Sequence, residues 1–175
     1  MTTQSISTST KSNYAFIDSQ NLHLGVTQDI YNTQGKLIYK GWKLDLKKFR
    51  VYLRNKYNVT KAYLFLGYLT QNKVMYQDFR NFGYDLVFKD VVIGPAGQPK
   101  GNVDAELVLQ SAAIDYNNYD KAVIVTGDGD FKCLVKYLLA ANKLEALMIP
   151  NKIRYSSLLR NYSQCMDFIS NKRHI

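Results

Sequence analysis

An α/β fold on a central, mostly parallel sheet is the architecture this sequence predicts, from three observations. Short runs of branched and aromatic residues recur along the chain, too brief for helices and too continuously apolar for strands that face water on one side. Between them lie longer segments whose apolar residues repeat three and four apart, as on one face of a helix. Two of the short runs end directly in Asp or Gly, the punctuation of a strand handing over to a loop.

The elements follow in chain order. Residues 1–12, rich in Ser and Thr, bury too little surface to offset their ordering entropy and are expected to be a disordered lead; one domain then covers 13–170, and 171–175 form a frayed basic tail. Tyr14-Ala-Phe-Ile17, Lys61–Tyr68, Ala122–Thr126 and Leu144–Ile149 read as buried strands, with further strands over Tyr84–Val92 and Met166–Ile169. Leu44, Leu46, Phe49, Tyr52 and Leu53 mark a helix over 44–57, and Val74, Met75, Phe79 and Phe82 another that stops at Gly83. Helices over Asn102–Tyr116 and Phe131–Ala141 follow, with a short one over Tyr155–Tyr162. Segment 19–43 is expected to hold a small hairpin turning at Asn32-Thr-Gln-Gly35, and Gly94-Pro-Ala-Gly-Gln-Pro-Lys-Gly101 a loop. Strands alternating with helices imply right-handed βαβ crossovers, hence the parallel sheet.

Composition bounds the function. At 175 residues, with 46% hydrophobic and 21% charged, the chain suits one globular domain. No apolar run approaches the ~20 residues that cross a bilayer, and the start lacks a signal peptide's apolar core, so a cytoplasmic protein is expected. Two cysteines, Cys133 and Cys165, without CxxC spacing, disfavour structural zinc and a disulfide framework, and Cys133 is expected as a buried, inert thiol. The net charge of +9 favours a polyanionic partner.

Ligands of open α/β sheets bind beyond the carboxyl ends of the strands. There stand Asp18, after the first strand, and Asp128 and Asp130 in Thr126-Gly-Asp-Gly-Asp-Phe131; Asp104 opens the helix after the Gly/Pro loop. Four carboxylates converging on one point would repel one another unless a cation were present, and oxygen-only ligands select Mg2+ or Mn2+. Such a centre suits phosphodiester hydrolysis, since the metal activates water and neutralises charge on the leaving oxygen. Each acid also has a plainer reading: Asp130 as a helix cap, Asp104 as a complement to a helix dipole, Asp18 as the mere end of a strand and Asp128 as a turn residue.

Phe16-Ile-Asp18-Ser-Gln-Asn21-Leu22, Lys100-Gly-Asn-Val-Asp104 and Val125-Thr-Gly-Asp128-Gly-Asp130-Phe131 resemble, in order and spacing, the three signature stretches of NYN domains, the LabA-like branch of the PIN-like nuclease superfamily. The resemblance runs from about Tyr14 to Ile169 and implies a three-layer α/β/α sandwich, a Mg2+ or Mn2+ centre, and ribonuclease activity on single-stranded or structured RNA. By motif, Asp18, Asp104, Asp128 and Asp130 match the metal-binding acids, Asn21 lines the site, and the Thr126 hydroxyl faces metal water or phosphate. Two positions depart from the pattern: Ser19-Gln20 stand where relatives carry a Gly-containing pair, and Gln110 where many carry a further acid.

Lys36 to Lys56 holds eight basic residues and one acid, Asp45, with Tyr39, Trp42 and Tyr52 interleaved, the makings of phosphate contacts and stacking platforms for RNA. Lys100 and Lys132 flank the acidic motifs as phosphate contacts, and His23 follows the Asn21 loop. The rival readings are a non-catalytic RNA-binding or regulatory module on the same fold, a phosphatase of the haloacid dehalogenase type, and an interaction protein. The phosphatase needs a second Asp two residues after the first, where this chain has Gln20. Homo-oligomerisation is left open.

Overall fold

The structure, a computed structural model, describes residues 12–89, 92–93, 99–100 and 104–175, with the backbone alone for 92–93 and 99–100. Six parallel strands form the central sheet in the order β10-β9-β8-β1-β4-β5. They are β1 (Asn13–Asp18), β4 (Val59–Gly67), β5 (Asp85–Lys89), β8 (Ala122–Val125), β9 (Leu144–Ile149) and β10 (Met166–Phe168). Two small antiparallel ribbons, β2 (Ile30–Tyr31) with β3 (Leu37–Tyr39) and β6 (Val92–Ile93) with β7 (Pro99–Lys100), complete the strand set among the described residues. The hairpin expected in 19–43 is the first of these.

β1 sits at the centre, paired with β4 on one side and β8 on the other. Its alternating residues feed two cores: Ala15 and Ile17 face one, Phe16 the other. The first core is covered by α1 (Ser19–Thr27), α2 (Leu46–Tyr57) and α3 (Lys73–Asn81), the second by α4 (Asp104–Leu109), α5 (Lys132–Ala140) and the 3-10 segment Ser157–Cys165. Helices on both faces make the three layers. The chain runs from β1 outward through β4 to β5, then returns to β8 and continues through β9 to β10. The order therefore reverses between β1 and β8, where the crevice of an open parallel sheet opens.

Local chemistry explains the helices that matter here. In α2, Asp45 caps the first turn by accepting the Lys48 N–H at 3.1 Å; Phe49, Leu53 and Tyr57 form its buried stripe; Asn58, at φ 52°, ends it in the left-handed region. Fully burying a side chain such as Phe49 contributes about 1.5–3 kcal/mol. In α4 the ladder slips into a π-helical stretch at Gln110–Ile114, so the expected helix over Asn102–Tyr116 ends two residues early; its start lies outside the described residues.

Several expectations need correction. α1 was not foreseen: only Leu22 and Val26 of its nine residues are buried, too few for a helical period to show. The strand expected over Tyr84–Val92 is β5, with Val92 in the separate ribbon, and Pro99–Lys100 of the expected loop pair with Val92–Ile93; residues 94–98 lie outside the described set. The tail is docked, not frayed, because Lys172 bonds Asp167 at 2.6 Å and Arg173 donates to the Lys40 carbonyl at 2.6 Å while lying over the Tyr39 and Trp42 rings. Cys133 is exposed, since Leu134, Val135 and Leu138 supply the buried face of α5. The three rings expected to stack bases are used internally: Tyr39 donates to the Val26 carbonyl, Trp42 lies under Arg173, and Tyr52 donates to Asp167 beneath Lys56 and Lys172.

Candidate active site

Asp18 closes β1 and caps α1, its Oδ1 accepting the Asn21 N–H at 3.0 Å. It is buried, 5% exposed, at the point where the strand order reverses. Across the crevice, β8 ends in Thr126, whose fully buried hydroxyl donates to Asp18 Oδ2 at 3.2 Å and accepts the Asp128 N–H at 3.1 Å. Asn21 adds a second stitch, accepting the Gly127 N–H at 2.7 Å. Two stretches over a hundred residues apart in sequence are thereby locked together.

Burial pushes the Asp18 carboxyl up to about 6, and the carboxylates of Asp104 and Asp128 add to the rise; the hydrogen bonds from Asn21 and Thr126 oppose it. The charges of Asp104 and Asp128 are thus both felt at Asp18. Both are half-buried, Asp104 as the first residue of α4 and Asp128 as the cap of the 3-10 turn Gly129–Phe131. The cap had been expected at Asp130; instead Asp128 Oδ1 accepts the Asp130 N–H at 3.0 Å, and Asp130 stands exposed at the rim.

The remaining named residues are less central. Lys132 and His23 are exposed on α5 and α1. The Lys100 backbone belongs to the β6–β7 ribbon, and its side chain lies outside the described residues. Gln110 turns to another cluster: its Nε2 donates to Asp115 Oδ2 at 2.6 Å, alongside the Tyr63 hydroxyl at 2.6 Å. A groove of about 590 Å3 lined by Lys47, Lys48, Tyr52, Lys56 and His174 includes none of the acids.

The donors suit a hard divalent cation, being carboxylate oxygens around a carboxyl that burial and like charge destabilise as an anion. Among the described residues no lysine, arginine or histidine is in ion-pair contact with Asp18. Nor do three or more His, Cys, Asp or Glu side chains there gather tightly enough to make a ligand set by themselves. One contributor was missed in the sequence: the loop after β9, where the Ser156 N–H donates to the Gly127 carbonyl at 2.9 Å. Pro150-Asn151 directly follows a strand, and the sheet-edge rule applied to β9 would have flagged it.

No curated protein matches the chain. Among solved structures it is similar to a protein of unknown function, VPA0982, from Vibrio parahaemolyticus RIMD 2210633, with a TM-score of 0.63 at 20% identity over 93% of each chain, a likeness of fold alone. The NYN domain model matches residues 14–170. With its six-stranded parallel sheet between helical layers and a match that takes in all three acidic stretches, this chain belongs to the NYN domain family, on a PIN-like α/β fold.

Proposed function

We propose that the protein is a metal-dependent ribonuclease of the LabA-like branch, acting in the cytoplasm on RNA phosphodiesters. The observation that supports this best is the buried Asp18 at the switch point, with Asp104 and Asp128 as its charged neighbours and, among the described residues, no ion pair to Asp18 itself. Capping α1 needs no buried charge, since Asn or Ser would serve as well, so a carboxyl whose ionisation burial and like charge oppose argues for a partner that reverses the penalty. Asp18, Asp104 and Asp128 would hold one or two Mg2+ or Mn2+ ions, with Asp130 at the rim. When bound, such an ion lowers the pKa of a water and neutralises charge on the leaving oxygen.

The chain's own residues do the rest. Asp18, titrating at about 6, is largely ionised at neutral pH and offers both oxygens. Thr126 holds the spacing between Asp18 and the Asp128 backbone, and Asn21 keeps the Gly127 turn closed on α1. Thr126 is thus a positioning residue, its hydroxyl already committed on both sides. Lys100 and Lys132 are assigned to phosphates beside the acids.

The test is a labelled single-stranded RNA with the purified chain in Mn2+, then in excess EDTA, then with Asp128→Asn. Cutting that persists through chelation and substitution alike belongs to another centre. The loose gathering of the acids favours one second reading, a non-catalytic RNA-binding module, which salt-dependent binding without Mn2+-dependent cleavage would select.

A further inference from the structure

The turn carrying Asp128 does not stand free, because the loop after β9 closes against it. Besides the Ser156 bond to Gly127, Asn151 donates to the Gly25 carbonyl of α1 at 2.9 Å and accepts the Ile153 N–H at 2.9 Å. The fit is tight: a Cβ at residue 129 would lie 2.3 Å from Ser156 Oγ and force a shift, and one at 127 would lie 3.2 Å from Tyr155 Cβ, closer than ordinary contact. Residues 150–158 are therefore a wall fixed to the acid turn.

Its charge is opposite to that of the turn. Between Pro150 and Cys165 the sequence has Lys152, Arg154 and Arg160 and no acid, and all three are exposed. Ile153 and Leu158, 46% and 50% exposed, stand among them. Arg154 donates to Gln28 Oε1 at 2.9 Å, which orients its guanidinium while leaving further N–H groups of the fork for another acceptor.

We infer that this wall binds the phosphodiester backbone of single-stranded RNA beside the acid turn, Lys152, Arg154 and Arg160 taking phosphates and Ile153 and Leu158 lying against sugars or bases. The inference rests on the nuclease reading and adds where the strand runs. Charge complementarity names the occupant: a polyanion approaching Asp18, Asp104 and Asp128 needs a positive border, and an acid-free cationic segment repels basic peptides. The lysines of the α2 groove are the competing surface, but Lys56 there is committed to Asp167 at 2.9 Å.

The experiment measures fluorescence anisotropy of a labelled oligouridylate in EDTA across a KCl series. Each lost phosphate contact lowers the salt slope by about 0.7, so Lys152→Gln/Arg160→Gln should lower it by about 1.4, whereas Lys47→Gln/Lys48→Gln leaves it unchanged. All four side chains are exposed, and both variants should melt like the parent. In Mn2+ the loop variant should raise KM with little change in kcat. An unchanged slope in the loop variant, or the loss appearing in the α2 variant, overturns the inference while the nuclease reading stands. No binding by the parent chain removes both.

Discussion

The hydroxyl of Thr126 donates to Asp18 Oδ2 across 3.2 Å, joining the ends of two adjacent parallel strands through side chains alone. Because the same oxygen accepts the Asp128 N–H at 3.1 Å, one buried group sets the spacing of two acids. Thr126→Val keeps the shape and removes both bonds. It should cost about 1–3 kcal/mol in urea unfolding, with the Asp128 N–H left unpaired, and weaken Mn2+ binding; Thr126→Ser should restore both.

Asp18 makes stability fall as pH rises. Its folded carboxyl titrates at about 6 against an ordinary 3.8, so the folded state is unpenalised below pH 3.8 and loses stability as pH climbs from there through 6. Asp18→Asn should therefore be more stable than the parent at pH 8, by an upper bound of about 3 kcal/mol, and equal to it at pH ~3. Urea titrations in EDTA at the two pH values check this. A parent chain that matches the variant at pH 8 would refute the buried-charge account.

Metal should reverse that penalty. At pH 8, Mn2+ at a hundredfold excess over its dissociation constant should stabilise the parent by about 2.7 kcal/mol, with the gain fading as pH drops below 6 and absent in Asp18→Asn. Thermal melts with Mn2+ and with EDTA read it out.

Asp167 works in the opposite sense. Burial alone would raise its carboxyl, but hydrogen bonds from Lys172, Tyr57 and Lys56 outweigh that and hold it far below the usual range. A depressed carboxyl contributes stability above about pH 4 that disappears as pH falls further. Asp167→Asn should lose about 2–4 kcal/mol at pH 7 and show a flatter acid-unfolding curve.

Gly129 tests the wall. Gly129→Ala places a methyl 2.3 Å from Ser156 Oγ, so the loop must shift, at a cost of about 1–3 kcal/mol. Cleavage and oligouridylate affinity should fall more than stability alone explains, whereas Gly35→Ala in the hairpin, which meets no atom but is strained by its φ of 75°, should lose stability and leave both activities intact.

What the amino-acid order determined by itself was the set of strands and the acids that follow them. Tyr14–Ile17 and Ala122–Val125 carry unbroken apolar runs, and Leu144–Ile149 one interrupted only by Glu145, because both faces of their sheet are buried, and that signal is local. Asp18 and Asp128 stood out because they end such runs. Tertiary structure alone decided the rest, for the strand order 10-9-8-1-4-5 rests on backbone bonds between distant segments that no periodicity records. That order made Thr126 a bridge, turned Gln110 to Asp115, left Asp130 at the rim, docked Arg173 on Tyr39 and Trp42, and laid the loop after β9 against Gly127. A side chain's neighbours depend on which elements pack beside it, and packing is settled only when the whole core closes.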